Sequence, residues 1–393
     1  MIQREKIIAA FEAKAEHFKI FDREFHDDTA LYEEKLAAFC ASNYQDIISR
    51  LATFPSPGAI PAAEFNQAEA MVVRFREDWS SHEAARRWAY QTLLARPTFA
   101  ADGSQIMPAK ELSIPVAAVQ IAWFENPHTP DGRYTKDTRF EVLTPDQLLI
   151  GRTPERQLSE QMVNLRRFQL EIETLCSYME RQAHKLSSDI KPPLVFFDSS
   201  MVISFAERWH EDQRKLFLQP VIKLLDTAQE TGIPVVGYVD TTYACDLAVM
   251  LKYFFVLDIK RSPVHDAYLF RNMRWGDRTI FFTCARAGLL DEFGAHQRGV
   301  GFVYLKANQG LPARLDIPLW VYQRGLLDYV IDVVRAEIVV GTGYPYALAT
   351  ADAAAVISAQ DREFFNAIFQ QFITRENIDL QLSQKLRSKG YRR

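Results

Sequence analysis

Three carboxylates stand where chemistry could be organised. Asp102 follows a short apolar run in "TFAADGSQIMP", Asp198 follows a longer one in "LVFFDSS", and Glu171 lies between them in "RRFQLEIETL". Acids gathered from separate segments repel one another and raise each other's pKa unless a cation stands among them. A hard divalent ion such as Mg²⁺ or Mn²⁺ takes oxygen ligands, and two such ions about 4 Å apart can activate water and stabilise the leaving oxygen of a phosphodiester. Each acid also has an ordinary structural use. An Asp-Gly pair makes a turn, Asp198 can cap the element after it, and Glu171 can be a solvated helix acid. The chemistry therefore depends on elements that bring the three together.

The hydrophobic pattern suggests those elements. "PTFAADGSQI" reads as a strand that ends in a turn at Asp102-Gly103, and "IPVAAVQIAWF" as a second strand. "NPHTPDGRYTKD" reads as a connection and "RFEVLT" as a third strand. From about Thr153 to Lys185, Leu158, Met162, Leu165, Phe168, Ile172, Leu175 and Met179 recur every three or four residues, one face of a long helix. On it Glu171 lies roughly 65° from the centre of the apolar stripe and Glu173 roughly 130°, so Glu171 borders the packed face and Glu173 points to water. "KPPLVFFDSSMVISF" has the continuous apolar texture of a central strand. A helix over about 207–231, the strand "IPVVGYVD", further strands in "TIFFTC", "GVGFVYLKA" and "LDIPLWV", and helices from 323 onward complete the chain.

Three strands, a helix and a fourth strand make an α/β arrangement that resembles the ribonuclease H-like mixed sheet with flanking helices. In such a sheet the first and fourth strands are neighbours, and their carboxyl ends bring Asp102 and Asp198 together. Residues 1–95, broken by "FPSPGAIP", read as an N-terminal helical arm, 96–370 as the main domain and 371–393 as a basic tail.

Composition sets outer bounds. With 393 residues, 48% apolar and 24% charged, the chain can bury a large core, and disorder is not the default. A net charge of −4 argues against coating nucleic acid by bulk positive charge, but a nuclease can keep its basic residues in local patches. Cys40, Cys176, Cys245 and Cys284 form no CxxC pair and suggest neither a zinc site nor a disulfide framework. The apolar runs are too short to span a membrane and the N-terminus lacks a signal-peptide core, so a cytoplasmic protein with no membrane partner is expected.

"AADGSQI", "RRFQLEIETL", "LVFFDSS", "PARLDIPLWV" and "GYPYALATADAAAV" together, in this order, resemble the NurA nuclease family over about residues 97–365. The resemblance implies a ribonuclease H-like core, dimerisation, Mn²⁺ or Mg²⁺ dependence, and 5′–3′ exonuclease and single-strand endonuclease action on DNA. It also implies work beside a HerA-type hexameric ATPase in DNA end resection and repair. By it, Asp102 and Asp198 correspond to the family's two catalytic aspartates and Glu171 to its helical glutamate. Tyr344 and Asp352 fall where the family has a late tyrosine and a catalytic histidine. Two positions depart: Ser199 follows the second aspartate where glycine is common, and Asp352 replaces the histidine. An aspartate can ligate a divalent ion but supplies no neutral imidazole, so the expected site is a four-carboxylate cluster of Asp102, Glu171, Asp198 and Asp352. The same departure leaves open a weak or inactive adaptor docking on the ATPase through its helical arm. Tyr344 can position substrate or simply pack beside Pro345.

For grip on the polymer, the segment "KRSPVHDAYLFRNMRWGDR" mixes cations with aromatics, and Arg271 and Arg274 within it are candidate DNA-binding residues. The tail "KLRSKGYRR" is a second basic cluster. Arg314 in "ARLD" can bind a phosphate or pair with Asp316.

Overall fold

The structure, a computed structural model, describes residues 3–109, 112–150, 157–186, 191–206, 209–258 and 264–379. They form two compact units: residues up to Asp78 with Tyr238–Tyr322, and Trp79–Gly237 with the residues from Gln323 on. Packing thus interleaves the chain, which leaves the second unit after Gly237 and returns at Gln323, whereas the expected division at 95 and 370 follows chain continuity. The tail "KLRSKGYRR", Thr153 at the expected helix start, and Lys260–Pro263 at the head of the basic segment lie outside the described residues.

Five neighbouring strands frame the second unit: β1 (Thr98–Ile106), β2 (Ala117–Asn126), β3 (Thr135–Leu143), β4 (Leu194–Phe197) and β5 (Val235–Val239), the last as far as Gly237. Their order is β3-β2-β1-β4-β5. β1 to β3 pair antiparallel, while β4 runs parallel to β1 and β5 parallel to β4. With a helix between β3 and β4, this is the ribonuclease H-like order of a mixed sheet. β4 has the burial of a central strand, all four residues being shut from solvent.

The helices of this unit include α1 (His82–Leu93), α2 (Glu160–Ala183), α3 (Glu211–Thr231), α4 (Leu327–Val340), α5 (Tyr346–Ala355) and α6 (Ala359–Arg375). α2 packs on β1 and β2 and also on α3, so Val163, Leu165, Phe168, Leu170, Ile172, Leu175 and Met179 are all buried, a wider stripe than one face. The alternation of β1 then sorts its side chains between two layers. Phe99 stacks on Tyr178 with centroids 4.0 Å apart and Gln105 donates to Asn164, so odd positions face α2. Thr98 donates to Glu337 and Ile106 packs with Ile357, so even positions face the layer of α4 and α5.

Local expectations are corrected in four places. Asp102-Gly103 is no turn: β1 continues through it, with Asp102 opposite Ala122 and Gly103 opposite Ile121. β3 begins at Thr135, inside the expected connection, because an exposed edge strand needs no apolar alternation. α2 begins at Glu160, since Gln157–Leu158 pairs instead with Leu149–Ile150. Within the arm, Gly58–Pro61 is a strand pairing with Phe282–Ala285.

The first unit is an antiparallel sheet in the order Gly58–Pro61, Phe282–Ala285, Val300–Leu305, Ala313–Pro318, packed with helices that include Ala15–Cys40, Tyr44–Leu51 and Asp246–Phe255. Among the described residues no helix is long and apolar enough to cross a membrane.

Candidate active site

β1 and β4 pair only from Thr98↔Leu194 to Ala100↔Phe196. Two residues past the last pair come Asp102, still on β1, and Asp198, just beyond the end of β4, so the parallel register brings both acids to the carboxyl ends of adjacent strands. β1 continues past this point while β4 stops at Phe197, so both acids stand where the sheet opens.

The even face of β1 receives α5, which crosses β1 and β2 and carries Asp352. The turn before α5 carries Tyr344, whose hydroxyl donates to Asp198 Oδ1 at 2.8 Å. Burial is the main cause that pushes Asp102 up to about 6, and the negative charges of Asp198 and Asp352 add to the rise. The Gly103 N–H and the Arg167 guanidinium oppose it. Two aspartates from other segments therefore bear on Asp102.

Glu171 arrives from the α2 layer. A Cβ on residue 103 would lie 2.6 Å from Glu171 Oε1, 2.7 Å from Arg167 Cγ and 2.7 Å from Ile121 Cδ1, so only a glycine lets this carboxylate rest against the strand beside Asp102. Arg167, one turn earlier on α2, donates from Nη1 to Glu171 Oε1 at 2.5 Å and to the Gly103 carbonyl at 3.3 Å. Burial between sheet and helices pushes Glu171 up to about 8; Arg167 holds it down, and Asp102 and Asp198 push it further up. Glu173 instead faces outward and pairs with Arg166 at 3.0 Å.

The expected single nest is thus built from two sides of one strand. Asp102 and Asp198 stand with Tyr344 and Asp352 on the α5 side, and Glu171 with Arg167 on the α2 side. Among the described residues no three His, Cys, Asp or Glu side chains already stand in a common metal-binding arrangement. The donor chemistry still suits a hard cation: all the acids offer oxygen, and a nearby positive charge would lower the raised values of Asp102 and Glu171 and so favour their charged forms.

The basic candidates lie in the first unit. Arg274 has a side chain 69% exposed, with Nε 3.6 Å from Asp277. Arg271 is engaged with Glu33 and with the Tyr268 carbonyl at 2.9 Å. Arg314 is no phosphate ligand: it is buried, its Nε donates to Asp316 at 2.7 Å and its Nη1 to Asp246, and it lies over the Phe302 ring. The ion pair is what the fold uses.

Sequence reasoning passed over Arg167 and the reason for Gly103. The Arg-to-Glu spacing of four on a helix was a readable sign of the first. The second needed the sheet register.

Residues 96–357, two thirds of the chain, match the NurA domain family. The chain belongs to the NurA family. That membership supports a nuclease. No curated protein matches the chain. Among solved structures, the catalytic domain of human endonuclease V is similar at 13% identity over 77% of this chain and 92% of that one, with a TM-score of 0.33. This likeness is too loose to bear on the site.

Proposed function

We propose that this NurA protein is a divalent-metal-dependent deoxyribonuclease. The observation that carries the reading is the β1/β4 register, which brings Asp102 and Asp198 to the carboxyl ends of adjacent strands, where Tyr344 bonds to Asp198 and the charge of Asp352 bears on Asp102. Asp102, Glu171, Asp198 and Asp352 would hold Mn²⁺ or Mg²⁺, which supplies Lewis acidity and a water of lowered pKa. The chain's own contribution is positional and electrostatic. The Tyr344 hydroxyl fixes the rotamer of Asp198, and Arg167 keeps Glu171 aimed at β1. The mutual repulsion of the acids keeps their affinity for positive charge high.

Within this reading, the substrates are single-stranded DNA and duplex ends, attacked as a 5′–3′ exonuclease and single-strand endonuclease in end resection and repair. The partners are a HerA-type hexameric ATPase and a second copy of the chain. A labelled linear duplex and a single strand incubated with Mn²⁺, Mg²⁺ or EDTA test it. Cleavage with Mn²⁺ that disappears in EDTA and in Asp102→Ala is the expected result; cleavage that survives Asp102→Ala removes the site.

A second reading, a non-catalytic adaptor for the ATPase, has one observation in its favour. The helices Arg4–Glu12 and Ala15–Cys40 expose Ile7, Ile8, Phe11, Phe18 and Phe21, an apolar surface suited to a partner. No cleavage with either ion, together with a stable ATPase complex, is the outcome that selects it.

A further inference from the structure

Glu337 of α4 is wholly buried, and its hydrogen bonds and ion pair go to Thr98, Ala347 and His128 rather than to the acids so far described. A buried carboxylate costs several kcal/mol unless its oxygens are satisfied. Here both are. Oε1 accepts from Thr98 Oγ1 at 2.9 Å and stands 3.2 Å from His128 Nε2; Oε2 accepts from the Ala347 backbone N–H at 2.8 Å. His128 Nε2 is also 2.9 Å from Thr98 Oγ1, which closes the network.

These partners belong to the segments that deliver the cluster. Thr98 opens β1, four residues before Asp102. Ala347 is in the first turn of α5, three residues after Tyr344 and five before Asp352. α5 is tied at its other end too, where Gln120 of β2 donates to the Ala355 carbonyl at 3.1 Å.

The backbone around the network is held under constraint. Ala95, His128 and Thr342 all adopt left-handed φ values, 56°, 51° and 58°, which non-glycine residues avoid. Ala95 N–H donates to the His128 carbonyl, and the His128 N–H to Asn126. In the turn that carries Tyr344, a Cβ on Gly341 would fall 1.9 Å from the Tyr344 carbonyl oxygen, so the turn has one tight path.

We infer that Glu337 is a positioning residue: through Thr98 and the Ala347 N–H it sets α5 and its preceding turn on β1, and so places Asp352 and Tyr344 against Asp102 and Asp198. This rests on the nuclease reading for its consequence in catalysis, but not for its geometry. The Gln side chain preserves an acceptor for Ala347 and a polar contact for Thr98; Ala preserves neither.

The test compares wild type, Glu337→Gln, Glu337→Ala, Asp352→Asn and the Glu337→Ala/Asp352→Asn double variant in Mn²⁺-dependent cleavage of a labelled oligonucleotide. Hydrogen exchange over residues 344–352 is measured alongside. Glu337→Ala is expected to lower kcat about 10-fold to 100-fold with KM within about threefold, and Glu337→Gln to recover most of it. The double variant is expected to be little worse than Asp352→Asn, because the two changes act through one helix. Exchange should accelerate at 344–352 in Glu337→Ala and stay near wild type in Glu337→Gln.

Multiplicative losses in the double variant, or no rescue by Gln, overturn the inference. If wild type does not cleave at all, the nuclease reading falls, and exchange alone then decides: faster exchange confined to Glu337→Ala upholds the positioning role, and equal exchange in all three proteins removes it.

Discussion

A side chain on residue 103 would have nowhere to go. Gly103→Ala drives a methyl into Glu171, Arg167 and Ile121, so we expect a loss of about 1–3 kcal/mol from overpacking and a drop in cleavage larger than that instability explains. Thermal unfolding and kinetics on the same sample check it. Asp102 and Glu171 make a second prediction, about pH. Both carboxyls are held above their ordinary 3.8 and 4.5, at about 6 and about 8, so the fold binds their protons more tightly than the unfolded chain does. The stability this gives is full below their unfolded values and is lost as pH rises through the folded ones. Metal-free protein should therefore lose thermal stability as pH rises from about 4 to about 8, between the unfolded and folded values, and added Mn²⁺ should restore it. Asp102→Asn should unfold at a higher temperature than wild type at pH 8 without metal, while cleaving nothing. A lower midpoint for that variant contradicts the electrostatic account.

The long helix and the two central strands carry the geometry. α2 is packed on both sides, which is why Glu171 loses its solvent and Glu173, two residues on, does not. Tyr178 on the same helix stacks on Phe99, yet its buried hydroxyl finds no hydrogen-bond partner among the described residues. Tyr178→Phe should keep the stack and remove an unsatisfied group, leaving the melting temperature unchanged or raised by the equivalent of about 1 kcal/mol. A clear fall would mean that the hydroxyl has a partner. The pattern of α2 was legible in sequence because a 3.6-residue period survives any packing partner. The edge strand β3 was legible only in part, since its solvent-facing residues carry no apolar signature. The turn read into Asp102-Gly103 misjudged the glycine: its lack of a side chain serves a neighbouring helix rather than a bend.

At the scale of the whole chain, basic residues that look alike in sequence separate by burial. Arg274→Ala should leave the melting temperature untouched and reduce the salt slope of DNA binding by about 1, measured by titration at several ionic strengths. Arg314→Leu should cost about 3–5 kcal/mol, because Asp316 stays buried without the guanidinium that pairs with it and Asp246 loses one of its two arginines, keeping Arg286. The amino-acid sequence by itself determined the order of the main strands and helices from Thr98 to Val239 and the family, because hydrophobic period and motif order are local properties of the chain. Tertiary structure alone decided that Arg314 is buried, that Glu171 approaches from the opposite layer to Asp102, and that Glu337 ties β1 to α5. Those facts depend on strand register and on which layer covers each face, and a contact such as that of Thr98 with Glu337, 239 positions on, leaves no mark in a local pattern.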